Sequence, residues 1–140
     1  MSASESVSTS VSAPEPAPAP APAPLTTAEV IERFNEVFQH HDPSGLAALV
    51  AEDCVMEGIS PAPEGSRLEG AEDCVRFWAG FATDPAHSFV IEDVLVAGEV
   101  SVIRWRFLFG PGDKDYVRCV NVMRVENGLI TEASGYAKTG

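Results

Sequence analysis

Basic residues are scarce in this chain: nine Lys and Arg stand against 21 Asp and Glu, for a formal net charge of -12. A polyanion such as nucleic acid, or an anionic membrane surface, would be repelled by that balance. Cysteine is scarcer still. Cys54, Cys74 and Cys119 are odd in number, form no CxxC pair and have no His at metal-ligand spacing. That argues against a disulfide scaffold or a zinc module and for buried free thiols in a reducing compartment. No apolar run reaches the length of a membrane span, and the first residues lack the basic start and apolar stretch of a signal peptide. The expectation is a cytoplasmic protein with neither a nucleic-acid nor a membrane partner.

What is present divides the chain in two. Residues 1–24 are low in complexity, Ser/Val/Ala followed by an Ala-Pro alternation that forbids helix and favours an extended polyproline conformation. They are expected to be a disordered leader, and residues 25–140 a single folded domain. The hydrophobic content of 45% suffices for one core of that size and leaves no room for a second. With Glu5 and Glu15 set aside, the remainder still carries nine basic residues against nineteen acidic ones.

Order begins at LTTAEVIERFNEVFQHHD. Thr26 and Glu29 form an S/T-x-x-E capping box, and Leu25 with Val30 fits a hydrophobic staple. Val30, Ile31, Phe34, Val37 and Phe38 then share one helical face. Asp42 and Pro43 cap a short second helix carrying Leu46, Leu49 and Val50, expected to pack on the first as a hairpin. CVMEGIS (54–60) reads as a strand followed by a Pro/Gly loop. Another helix spans about 71–81, with Cys74, Val75, Phe77, Trp78 and Phe81 apolar. The period then changes to that of strands, in SFVIEDVLVAG, SVIRWRFLFG, YVRCVNVMRV and LITEASGYA, punctuated by Gly98, GPGDK and the hairpin signal ENG. Helices first and antiparallel strands later predict an α+β fold, with helices gathered on one face of a curved sheet.

SVIRWRFLFG (101–110) leaves one question open. Ile103, Trp105 and Phe107 alternate with Arg104 and Arg106, so only one of the two sets faces the interior. Aromatics inside leave the arginines solvated and uninformative. Arginines inside bring two cations into a region where charge is costly unless paired.

The sequence resembles the SnoaL-like branch of the NTF2-like superfamily, which also holds ketosteroid isomerases, scytalone dehydratase and limonene epoxide hydrolase. HHDPSGLAALVAEDCVME, GAEDCVRFW, VIRWRF and VNVMRVENGLITE carry the likeness, over residues 26 to 138. The resemblance implies a cone: a strongly curved mixed sheet whose N-terminal helices enclose a pocket, commonly dimeric through the outer sheet face, with cofactor-free chemistry. It also implies which positions matter. The ketosteroid isomerase base falls on Gly58, its helical phenol on Phe34 and its second oxyanion donor on Asn121. The arginine of limonene epoxide hydrolases falls on Arg104, the carboxylate two residues on is replaced by Arg106, and their final-strand carboxylate falls near Gly135. The acid/base aspartate of SnoaL-type cyclases lies at or near Asn121, and an amide cannot carry its proton.

These comparisons favour Arg104, Arg106 and Leu108 toward the pocket, leaving Trp105 and Phe107 on the outer face under a dimer partner. Met56, Gly58, Cys119, Asn121, Met123, Ala133 and Gly135 would share the cavity with Phe34, Phe38, Phe77 and Trp78 from the helices. Glu57, Glu132 and Asp53 read as surface or turn carboxylates, and His40 and His41 as a helix C-terminal pair. His87 receives no role, and Tyr136 faces outward by parity. Two functions compete. In the preferred one, the protein is a cyclase, isomerase, dehydratase or hydrolase acting on a hydrophobic carbonyl, enol or epoxide. Asn121 with Arg104 or Arg106 would stabilise the oxyanion. The alternative is a non-catalytic ligand-binding or dimerisation module.

Overall fold

The computed structural model of the protein describes residues 23–138. Of the leader expected over 1–24, all but Ala23 and Pro24 lies outside the described residues. The first helix, α1 (Thr27–Gln39), starts where the capping box placed it. Thr26 Oγ1 accepts from the Glu29 amide at 3.1 Å, and Glu29 Oε1 accepts from the Thr26 amide at 2.9 Å. The bond from the Thr26 amide, helped by the Thr26 hydroxyl, holds the Glu29 carboxyl below its ordinary range. Ile31, Phe34, Asn35 and Phe38 lie on its buried side.

The short second helix of the sequence reading is only a 3-10 turn, Ala47–Leu49, and Val50 already belongs to strand β1 (Val50–Glu57). Leu46 and Leu49 are buried as the apolar spacing required, but one turn is all the chain allows before it must extend. The Pro/Gly loop hides a strand that periodicity missed, β2 (Arg67–Glu69), which pairs antiparallel with the end of β1. Three residues are too few to show a period. Helix α2 (Ala71–Thr83) follows, then β3 (Ser88–Ala97), β4 (Val100–Leu108), β5 (Tyr116–Glu126) and β6 (Leu129–Ala137).

The strands form one six-stranded sheet in the order β2-β1-β6-β5-β4-β3. All neighbours are antiparallel except β1 and β6, which run parallel, so the sheet is mixed. Asn127 and Gly128 turn β5 into β6 at φ 53° and 77°, the left-handed pair that an Asn-Gly hairpin requires. Register shifts in β3 between Ile91 and Asp93, and in β6 between Ile130 and Glu132 opposite Arg124 and Val125, mark bulges that bend the sheet. The helices close the concave side, α1 against β3, β4 and β5, and α2 against β1 and β2. The result is the α+β cone expected from the sequence.

The open question in β4 is answered by burial. Ser101, Ile103 and Trp105 are buried, whereas Arg104 is exposed. Trp105 pairs across the ladder with buried Cys119, and Ile103 with Asn121. The favoured orientation of the sequence reading is therefore corrected: Arg104, Arg106 and Leu108 lie on the outer face, and the aromatic set faces in. The reason is cost. An indole gains by leaving water, and the guanidinium groups stay where solvent and a carboxylate reach them. Arg106 Nε lies 3.1 Å from Glu92 Oε2, whose carboxylate also sits 3.6 Å from Arg118 Nη2. The Arg106 guanidinium stacks 5.3 Å from the Tyr116 ring centroid.

Trp105→Ala is expected to lower stability by about 3–5 kcal/mol through the cavity it opens, and Arg104→Ala by no more than about 0.5 kcal/mol. Urea unfolding of both variants checks this, and the opposite ranking would restore the arginines to the interior.

Candidate ligand-binding site

The concave side of the sheet is not filled. A cavity of ≈ 220 Å³ opens between β1, β4, β5, β6 and the two helices. Its walls are mainly aromatic and aliphatic. Phe34 and Phe38 descend from α1, Phe77, Trp78 and Phe81 from α2, and Phe89, Ile103 and Trp105 rise from β3 and β4. The rings brace each other edge to face, Phe34 on Trp78 at 5.1 Å and Phe38 on Phe89 at 5.4 Å between centroids. Such contacts fix the wall in the absence of a ligand. Met56 and Gly58 at the end of β1, with Ala133 and Gly135 on β6, complete it.

Small residues matter at one point. A Cβ on Gly135 would come within 3.1 Å of Ile59 Cγ1 and 3.4 Å of Asn121 Oδ1. Only hydrogen leaves Ile59 and Asn121 undisturbed there.

The polar groups are few and can be read individually. Asn121 is positioned by β5 and faces Ile103 and Gly135 in the neighbouring strands. Its Oδ1 accepts the indole N–H of Trp105 at 3.1 Å. An indole nitrogen only donates, so the carboxamide oxygen must face it and the Nδ2 hydrogens must face away. Nδ2 has no acceptor among the described residues, and the side chain borders the cavity. Asn121 thus presents an oriented donor beside the cavity.

Asn35 is a polar residue that sequence reasoning missed. It shares the inward stripe of α1 with Ile31, Phe34 and Phe38 and is 93% buried, its relative exposure being 7%. No hydrogen bond to its carboxamide is present among the described residues, although it borders the cavity. Among the described residues only Ser101 Oγ and Arg106 Nε are cut off from solvent without a hydrogen bond, so the Asn35 carboxamide keeps access to the space it borders. The signal was there: a polar residue inside an apolar helical stripe.

Of the other residues singled out from sequence, Cys119 and Met123 are buried on the inner face without bordering this cavity. Arg104 instead borders a shallow outer depression with Glu92, Arg118, Tyr136 and Lys138. No catalytic role in the cavity is open to Arg104 or Arg106. Glu57 borders the rim, and its carboxylate is held at 3.1 Å by Arg67, which also binds Glu69 at 3.0 Å. Glu132 is exposed and lies 3.9 Å from Arg124. His41 Nδ1 donates to the Ala82 carbonyl at 2.8 Å and ties the end of α1 to α2, while His87 Nδ1 donates to the Phe81 carbonyl at 2.9 Å. Among the described residues no three His, Cys, Asp or Glu side chains converge as metal ligands. None of the helices there is long and apolar enough to cross a membrane.

The three thiols are free and buried. Burial pushes Cys54 up to about 12, helped by neighbouring Cys74, and Cys119 up to about 11, and it raises Cys74 as well. Cys74 Sγ donates to the Cys54 carbonyl at 3.6 Å. These are packing groups rather than nucleophiles.

A bent mixed sheet, two helices over its concave side and an apolar pocket with isolated amides define an NTF2-like fold. The SnoaL-like domain family model matches residues 31–133, and the chain belongs to that family. An NTF2-like protein of unknown function from Mesorhizobium loti is 49% identical, with a TM-score of 0.76 over 81% of this chain and 91% of that one. A steroid delta-isomerase from Pseudomonas aeruginosa is 18% identical, with a TM-score of 0.68 over 84% of this chain and 83% of that one. A putative polyketide cyclase from Sinorhizobium meliloti is 17% identical, with a TM-score of 0.62 over 79% of this chain and 99% of that one. The last two show the fold alone. No curated protein matches the chain.

Because their thiolates are disfavoured, all three cysteines are expected to resist a disulfide reagent at pH 8 and to react only after denaturation. The raised values also fix the direction of alkaline stability. It is full below pH 9, where unfolded thiols begin to ionise, and is lost as pH rises toward 11 and 12. Fast thiol release from the native protein at pH 8 would contradict both.

Proposed function

We propose that the protein binds an apolar small molecule in this cavity and holds a hydrogen-bond acceptor of that molecule, a carbonyl or enolate oxygen, on Asn121 Nδ2. The observation that carries the reading is the Trp105–Asn121 bond, which leaves a mainly aromatic pocket with a donor aimed by geometry. Scaled from the roughly 150 Å³ cavity that takes benzene, the enclosed volume suits a ligand of about ten non-hydrogen atoms. That favours a monocyclic or bicyclic compound over a fused tetracycle, unless part of the ligand projects through the mouth.

Cofactor-free turnover of such a ligand, as an isomerase, cyclase, dehydratase or hydrolase, is a second reading. Two features favour it: an amide donor placed where an oxyanion would develop, and Glu57 as the carboxylate on the rim. Against it stands the Arg67 clamp on Glu57, which holds that base away from its task. Binding without turnover is the better-supported function. Three protonated thiols fit a reducing, cytoplasmic setting.

The outer sheet face supports a homodimer. Leu95, Val122 and Tyr136 are exposed there, beside charges of both signs. Exposed apolar groups of that kind, rimmed by charge, suit a second copy. Val122→Glu is expected to shift the protein toward monomer in light scattering while preserving its unfolding midpoint to within a few degrees; an unchanged mass would reject this face.

For the cavity, acetophenone and ethylbenzene share a shape and differ in the carbonyl. The wild-type protein is expected to bind acetophenone about tenfold more tightly, the worth of one good hydrogen bond. Asn121→Leu should remove that preference and destabilise the fold by about 1–3 kcal/mol, because the indole N–H loses its partner. Equal affinity of the wild type for both compounds would overturn the role of Asn121.

A further inference from the structure

The cavity presents a second amide that one carbonyl ligand does not engage. Asn35 comes from α1 and Asn121 from β5, and both border the cavity. The positions flanking Asn35 on the same helical stripe, Phe34 and Phe38, are apolar and buried. A leucine there would bury without cost and would close the wall. The chain instead keeps an asparagine that is 93% buried as a residue, its carboxamide without a protein hydrogen bond among the described residues and bordering open space. A buried amide left like this is satisfied by what enters the cavity.

We propose that the ligand is bifunctional: an acceptor oxygen held by Asn121 and a second polar group, a hydroxyl or second carbonyl, held by Asn35, joined by an apolar ring or short chain. The inference rests on the binding role of the cavity. The chemistry at the two ends is unequal. Asn121 offers only N–H, since its oxygen is committed to Trp105. Asn35 has both its oxygen and its amine uncommitted, so it accepts from a hydroxyl and donates to a carbonyl with equal ease. A hydroxy-ketone satisfies both ends and a simple ketone only one. The Asn35 end therefore selects against unsubstituted hydrocarbon rings, because binding them would seal its amide away from water.

Acetophenone, 3-hydroxyacetophenone and 4-hydroxyacetophenone test this on the full-length protein. Occupancy is read from the indole N–H signals of Trp78 and Trp105, both of which border the cavity. At least one hydroxy isomer is expected to bind the wild type about tenfold more tightly than acetophenone. Asn35→Leu should abolish that advantage, with acetophenone bound at least as tightly as by the wild type, while Asn121→Leu weakens all three. The melting temperature of Asn35→Leu, or of Asn35→Ala if leucine does not fit, should equal or exceed that of the wild type.

Hydroxy isomers that bind no better than acetophenone, an advantage that survives Asn35→Leu, or a clear fall in melting temperature in both variants would each overturn the bifunctional ligand. In those cases acetophenone binding itself stays intact. If none of the three compounds moves either indole signal, the binding role of the cavity fails, and the proposal falls with it.

Discussion

Everything on the concave side depends on the two-residue period of β4. Side chains alternate across a pleated strand, so one choice assigns Ser101, Ile103, Trp105 and Phe107 to one face and Arg104, Arg106 and Leu108 to the other. No intermediate exists without a bulge, and the β4–β5 ladder runs unbroken from Val100 to Leu108. The free energy of placing an indole and a branched aliphatic side chain away from water decides the choice. Two guanidinium groups left outside, one of them paired with Glu92, complete it.

From that choice the polar character of the pocket follows. With Trp105 inside, its N–H needs an acceptor, and the residue two positions beyond Cys119 on β5 supplies one. The bond has a consequence beyond satisfying the indole: it fixes which end of the Asn121 carboxamide is available. An amide otherwise free to flip becomes a donor of known direction. The pocket thus owes its one oriented donor to a residue that is itself part of the wall.

Most of the frame was legible in the sequence. The capping box located α1 to the residue, the ENG turn located the β5–β6 hairpin, and strand periodicity located β3 to β6. Those signals are local, each written in fewer than about ten residues. The assignments of Asn121 and Gly135 to the concave side were also legible. What was not legible was how β4 registers against β5. The connection from Phe109 to Asp115 is long enough to admit either parity, whereas a two-residue turn fixes one. The resemblance to epoxide hydrolases pointed Arg104 inward, and a one-residue slip reverses every side chain. Asn35 was overlooked because a helical stripe is read by its apolar members, and β2 because three residues carry no period.

The acidic surface and the mainly apolar cavity are separate features of the same chain. Its charge lies on helix faces, loops and the strands themselves, and the concave side carries two amides among rings. That cavity is where the ligand is expected to bind. Intermolecular nuclear Overhauser effects from a bound aryl ketone locate it most directly. The prediction is contact with the Trp105 indole and the Asn121 carboxamide protons; contacts confined to Tyr136, Val120 and the Arg104 side chain on the outer face would contradict it.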